Sequence, residues 1–323
     1  MLGIQKNMFT DCLDTVQVFS KPVRENLGED SFFCAQRENS AIVSVFDGCG
    51  GLGARKYEVF QGHTGAYIAS RSVSGAIHDW YHENSEKKWE NAESLVCSIN
   101  EYIHKVYKIC ESYGVDKARI KGSMVRKFPT TLALAYAQTD KDEQGIRIHI
   151  LWAGDSRVYL LDEKGLAQLT KDDTDVEDAL ENLTSDGVLH NVLSSDGNYT
   201  INLKTISLTS PALIFAATDG CFGYIPSPME FEYVILKSLV ENNTPVAFET
   251  ELRDVLSEYA GDDLTLGIMS FYYETFQNTR IQMAKRLKYL EKKYIKPLKN
   301  EKGDALLQGL WEEYKTLYER YIK

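Results

Sequence analysis

With 323 residues, 43% of them hydrophobic, the chain is long enough for one large domain or two small ones around an ordinary packed core. Lys+Arg 36 against Asp+Glu 47 leaves a net charge of −11, which repels a nucleic-acid backbone or an anionic membrane and welcomes a cationic ligand. The six cysteines (Cys12, Cys34, Cys49, Cys97, Cys110, Cys221) show no C-x-x-C spacing, and neither a signal peptide nor an apolar run of about 20 residues is present. The expectation is a reduced, soluble, cytoplasmic protein that uses neither nucleic acid nor membrane as partner.

In chain order, Thr15–Ser20 alternates weakly and predicts an edge strand. Ser31–Gln36 and Ala41–Phe46 predict two strands joined by the polar connection 37–40. Asp30 begins the first and Asp47 ends the second, so antiparallel pairing places both at one end of a sheet. From Gly62 to Glu83, Ala66, Ala69, Val73, Ala76, Ile77 and Trp80 recur at helical spacing, and a second amphipathic helix spans Lys88–Tyr113. The two predict an antiparallel pair covering a sheet face. The stretch 116–127 is polar and basic.

Strands resume at Pro129–Tyr136 and Gly145–Ala153, around the charged connection 139–143, then at Arg157–Leu161 and Leu166–Thr170. Successive short-connected strands imply antiparallel sheets. Residues 171–198, rich in Asp, Asn and Ser, read as a surface excursion or flap. Strands at Tyr199–Leu208 and Ala212–Thr218 and helices over 229–241 and 247–259 follow, and a strand at Asp263–Met269 closes the sheet. The tail predicts a helix marked by Ile281, Ala284, Leu287 and Tyr294, a turn at Lys296-Pro297 and Gly303, and a helix carrying Leu307, Leu310, Trp311, Tyr314, Tyr318 and Tyr321. That aromatic stripe must be covered by the domain, by its hairpin partner or by another molecule. The organisation expected is a domain over 1–273 and a C-terminal helical hairpin over 274–323.

Acids punctuate the strand ends. Val43, Val45 and Phe46 deliver Asp47 onto the glycine turn Gly48-Cys49-Gly50-Gly51, and a second apolar run, Leu213–Ala217, ends at Asp219-Gly220. Such an end presents a carboxylate and backbone carbonyls to a metal. Glu29-Asp30, Asp155 and Asp262-Asp263 sit in comparable places, and five acidic strand ends suggest one carboxylate cluster whose crowding divalent cations would offset.

The ordered set Glu29-Asp30, Phe46-Asp47-Gly48-x-Gly50-Gly51, two helices, Thr130-Thr131, Gly154-Asp155-Ser156-Arg157, Leu169-Thr170-x-Asp172, Ala217-Thr218-Asp219-Gly220 and Asp262-Asp263-x-Thr265 resembles the PP2C (PPM) family of metal-dependent serine/threonine protein phosphatases, over roughly Arg24 to Phe271. The resemblance implies an α+β fold: a β-sandwich of two antiparallel sheets flanked by helix pairs. It places two Mg²⁺ or Mn²⁺ ions on Asp47, the Gly48 carbonyl, Asp219 and Asp262, with Asp30 and Glu29 acting through water and Asp155 at a third, weaker metal. Hard oxygen ligands suit those ions rather than Zn²⁺. A hydroxide bridging the pair would attack a phosphoserine or phosphothreonine of a phosphoprotein, with no protein nucleophile.

Two departures from the family pattern stand out. The phosphate-binding arginine falls on Arg24, one residue further from Asp30 than is usual, and Cys49 stands where some members carry a histidine. The insertion 52–61 is expected beside the metals, where it could offer Arg55 or Lys56 to a phosphate. Cys49 and Cys221 each follow an Asp-Gly, which suggests oxidation-sensitive thiols near the metals; the plainer alternative is small buried thiols without a role. The rival functions are a pseudophosphatase scaffold, docking or self-associating through its C-terminal helices, and a metal-dependent hydrolase of a small phosphate ester.

Overall fold

A computed structural model describes residues 12–25, 27–89, 91–113, 127–140, 145–184, 187–301 and 303–322. The basic stretch 116–126 and most of the 139–143 connection lie outside them. Two antiparallel five-stranded sheets face each other. One runs in the order β1 (Leu13–Lys21), β12 (Leu264–Phe271), β11 (Ala212–Ala217), β8 (Arg157–Asp162), β9 (Gly165–Gln168). The other runs β10 (Asn202–Leu208), β7 (Gly145–Ala153), β6 (Leu132–Asp140), β3 (Ser40–Phe46), β2 (Ser31–Gln36). The weakly alternating N-terminal segment is an edge strand, as its pattern implies.

Period-two alternation divides the central strands between two cores. On β3, Ala41, Val43 and Val45 face the sandwich interior with Val158, Ile214, Ala216 and Met269 of the opposite sheet. Ile42 and Phe46 face outward, against Ile68, Val73 and Trp80 of α2 (Gly65–Asn84) and Leu95 and Ile99 of α3 (Ala92–Tyr113). This explains why every residue of β3 is buried. The other sheet's outer face carries Leu213, Phe215 and Leu266 beneath α5 (Pro228–Glu241) and α6 (Pro245–Tyr259). The expected sandwich flanked by helix pairs is the fold observed.

Between β3 and α2 the chain forms the short helix α1 (Gly50–Gly53) and the two-stranded ladder β4 (Lys56–Tyr57) and β5 (His63–Thr64). The flap is more embedded than its polar composition suggests. Leu180, Val192 and Leu193 are buried, a short helix α4 (Glu181–Thr184) interrupts it, and bridges tie Thr130 to Leu193 and Thr174 to Leu189.

The tail departs from expectation at Pro297. Helix α7 (Phe276–Leu290) runs through a π-turn, Glu291–Ile295, straight into α8 (Lys296–Asn300), with Pro297 in its first turn. The wider turn precedes a residue that lacks an amide donor, so the proline bends rather than ends the helix, and the reversal comes only after Asn300. The last helix, α9 (Asp304–Tyr318), turns its aromatic stripe inward: Trp311, Tyr314 and Tyr318 share a core with Tyr159, Phe222 and Phe231. Among the described residues no helix is long and apolar enough to cross a membrane.

Candidate active site

Asp47 leaves the end of β3 and is fixed by the two threonines at the start of β6. Its amide donates to Thr131 Oγ1 (3.0 Å), while its carbonyl accepts from the Thr131 amide (2.8 Å) and the Thr130 hydroxyl (2.7 Å). Thr131 Oγ1 also meets Ser156 Oγ at 2.7 Å, which ties Asp155's turn to the same point. A Cβ on Gly48 would stand 2.7 Å from the Ala66 carbonyl and 2.8 Å from that of Glu29, so only glycine lets β3, α2 and the 29–30 segment meet. Gly220 is tighter still: a Cβ there would lie 1.9 Å from the Asp263 carbonyl, and this closeness sets Asp219 beside Asp262.

Asp30 is 7% exposed, and its Oδ2 accepts from Thr218 Oγ1 at 2.9 Å, linking the first acidic strand end to the fourth. Glu29 accepts the hydroxyl of Thr64, the N-cap of α2. The 22–30 segment is clamped by Asp263, whose carboxylate accepts the amides of Val23 (2.7 Å) and Glu29 (2.6 Å). From the other side Arg71 donates to the carbonyls of Gly28 (3.0 Å) and Glu29 (3.4 Å).

These turns enclose a cavity of about 400 Å³ lined by Glu29, Asp47, Gly48, Cys49, Asp155, Asp262 and Asp263, with Leu52 and the flap's Val188 and Leu189 at its edges. Asp219 and Asp155 also face a smaller cavity, of about 170 Å³, on the flap side. Asp30 faces a third, of about 470 Å³, alongside His63, Tyr67 and Arg71.

Five of the seven residues singled out in the sequence (Glu29, Asp47, Gly48, Asp155 and Asp262) thus line one pocket, while Asp219 faces the adjoining smaller cavity and Asp30 the third. Arg24 does not line these cavities: it is exposed, with its carbonyl accepting the Leu27 amide at 3.0 Å. Arg55 lies over the Tyr57 ring, 5.1 Å from its centre, and neither it nor Lys56 lines the acid pocket.

Among the described lining residues of the acid pocket none is basic, and the carboxyls respond accordingly. Burial, then the charge of Asp219, pushes Asp47 well up, and burial does the same to Asp30 despite hydrogen bonds from Thr265 and Thr218. Asp155 is pushed up to about 8 by burial and by Asp219, and Asp219 to about 6 by burial and Asp262. The Gly220 amide and a hydrogen bond with Asp47 work against that rise at Asp219. Burial also raises Glu29 and Asp262.

The donor set fits hard divalent cations. It consists of carboxylates and a carbonyl, it carries uncompensated negative charge, and buried Asp155 Oδ1 has no hydrogen-bond partner. The fit is one of chemistry rather than finished geometry. Among the described residues no three His, Cys, Asp or Glu side chains converge as ligands on one point, and Asp47 and Asp219 face each other through their shared hydrogen bond.

Two structural anchors carry no signal in the sequence, and a third, Asp263, shows there only as one of the acidic strand ends, without its role as a clamp. Arg71 lies on the polar side of α2, where nothing in the helical pattern marks it. Asp173 accepts from the Gly154 amide (3.0 Å), Asn191 (2.6 Å) and Asn202 (3.0 Å), pinning the Asp155 turn to the flap; its contacts are too distant in sequence to show.

The family model described as Protein phosphatase 2C matches residues 21–259. No curated protein sequence matches. Among solved structures, the chain is similar to the Mycobacterium tuberculosis serine/threonine phosphatase PstP/Ppp, with TM-score 0.57 and 19% identity over 80% of this chain and 98% of that one. It is also similar to the serine/threonine phosphatase Stp1 from Staphylococcus aureus, with TM-score 0.60 and 17% identity over 80% and 94%. A further structure of the PstP catalytic domain, described as a complex with 2 manganese ions, superposes with TM-score 0.54 and 17% identity over 80% and 98%.

Proposed function

Because the chain belongs to the protein phosphatase 2C family, we propose that it hydrolyses phosphoserine and phosphothreonine in proteins with the help of two divalent cations, Mn²⁺ or Mg²⁺. The observation that carries this reading is the gathering of Asp47, Asp155 and Asp262 from remote strand ends into a pocket lined by no basic side chain, with Asp219 in the adjoining cavity that Asp155 also lines. The manganese in a structural neighbour supports the choice of metal.

Asp47, the Gly48 carbonyl, Asp219 and Asp262 would hold the pair, Glu29 and Asp30 would act through water, and Asp155 would serve a third ion. Cations held there supply charge neutralisation for a phosphoryl group and lower the pKa of water. The chain's own contribution is placement. Thr130 and Thr131 orient Asp47, Gly220 lets Asp219 close on Asp262, and Asp263 with Arg71 fixes the Glu29-Asp30 segment. Cys49 stays a thiol, since burial and the charge of Asp47 push it well above its ordinary range. The flap's Val188 and Leu189 line the acid pocket, where they would meet a protein segment carrying the phosphate.

Purified protein is expected to hydrolyse p-nitrophenyl phosphate and phosphopeptides with Mn²⁺ and to stop with chelator. Asp47→Ala or Asp219→Ala should each remove several kcal/mol of transition-state stabilisation, on the order of a thousandfold in rate. A folded wild type that is inert or indifferent to Mn²⁺ contradicts the proposal.

A further inference from the structure

The family match ends at residue 259, yet the helices beyond it reach back toward the acid site. Two contacts do this. Asp178, in the flap, receives Trp311 Nε1 (3.1 Å) and Lys315 Nζ (2.6 Å) on Oδ2, while its Oδ1 accepts the amides of Leu180 (2.9 Å) and Glu181 (3.0 Å) at the start of α4. One carboxylate therefore fastens α9 to the flap's only helix among the described residues. The second contact is deeper. Tyr318, 1% exposed, places its hydroxyl 3.5 Å from Arg157 Nη1, and Arg157 is itself 2% exposed.

Arg157 gathers three loops of the site. It lies two residues from Asp155, packs over the Phe222 ring at 4.2 Å beside the Asp219 turn, and grips Asp172 at the root of the flap through Nη2 (2.6 Å) and Nε (2.9 Å). Asp172 in turn accepts from Asn182 Nδ2 at 2.5 Å, back on α4. Asp172 and Asn182 form a common wall. On one side is the small cavity reaching Asp155 and Asp219; on the other is a cavity of about 390 Å³ lined by Lys315 and Glu319 of the tail.

We propose that α9 is a positioning element of the active site. Lys315 and Trp311 act through Asp178, and Tyr318 acts through Arg157 and Asp172, to hold the flap over Asp155 at the height a bound phosphopeptide requires. What is positioned rests on the phosphatase reading; that the tail orders the flap does not. Asp178 and Asp172 each receive charge-assisted hydrogen bonds, the strongest kind a half-exposed segment can use against local opening.

The test uses the full chain with Lys315→Met, Tyr318→Phe and the double variant, followed by hydrogen exchange and steady-state kinetics with Mn²⁺. Flap peptides within 172–184 and 187–193 are expected to exchange about tenfold faster in the double variant, while α2 and α3 peptides are unchanged. KM for a phosphopeptide should rise about fivefold or more at nearly constant kcat, p-nitrophenyl phosphate turnover should stay within about twofold, and Lys315→Arg should restore the flap. Unchanged flap exchange, or a rise spread evenly over both sheets, overturns the proposal. A wild type inert toward every ester would sink the phosphatase reading instead, and the exchange data would still decide the tail's role. Tyr318→Phe removes a single oxygen and Lys315 is partly exposed, so both variants should fold.

Discussion

Two buried ionic centres in this molecule invite comparison. Under α7 and α9, Glu232 is wholly buried and receives Arg286 through Nε (2.6 Å) and Nη2 (2.9 Å), with the Tyr314 hydroxyl as a third donor. Every charge there has its counter-charge within the chain. At the acid pocket Asp30, Asp47, Asp155 and Asp219 press on one another, their values driven upward by burial and mutual repulsion. Buried charge that the chain itself neutralises is architecture, whereas buried charge left for something else to neutralise marks a binding centre.

The sharpest way to break that contrast is to remove one partner on each side. Glu232→Ala strands Arg286 and should cost about 3–5 kcal/mol in urea unfolding. Asp155→Asn, measured with chelator at pH 8, should leave stability unchanged or raise it, because a repelled carboxyl has been removed. Equal losses in the two would erase the distinction.

A smaller effect lies in pH. Asp155 near 8 and Asp219 near 6 both stand above the ordinary aspartate value of about 3.9. In the folded state these groups therefore keep protons that the unfolded chain has already released. Their contribution is complete below pH about 4 and is lost as pH rises through 6 and toward 8, so thermal melts in chelator should fall across that window. Asp155→Asn should make the decline between 6 and 8 shallower, and Mn²⁺ should reverse it; a flat profile would contradict the reading.

The smallest effect concerns sulfur. Burial pushes the thiols of Cys49 and Cys221 well up, which leaves little reactive thiolate. Brief peroxide exposure should lower the activity of wild type and Cys49→Ser alike and only slightly. Protection by the substitution would revive an oxidation switch.

Much of this was legible in the sequence because the ligand-type residues terminate strands, and a strand's period and polarity show in one dimension. The pairing of Ser31 with Phe46 places Asp30 and Asp47 together as soon as two adjacent strands are recognised. The ordered motifs then supplied the family and the sandwich. What stayed hidden is held by long-range polar contacts. Asp263 reaches 240 residues back to the Val23 amide, and Trp311 reaches 133 back to Asp178. Pro297 misled for another reason: a π-turn absorbed its missing donor, an accommodation that local propensity does not reveal. The flap looked merely polar because its acids, Asp172, Asp173 and Asp178, spend their charge on partners elsewhere.

The pairing of β12 carries a consequence for biosynthesis. This strand lies between β1 and β11, joining Val18 to Gly267 and Ala216 to the same residue from the other side. Until residues 264–271 leave the ribosome, β1 and β11 expose raw edges open to wrong partners, and Asp262 and Asp263, the last acids of the pocket, emerge only just ahead of that strand. The acid pocket therefore stays incomplete for most of the chain's synthesis, and the stroke that seals the sheet is also the one that completes it.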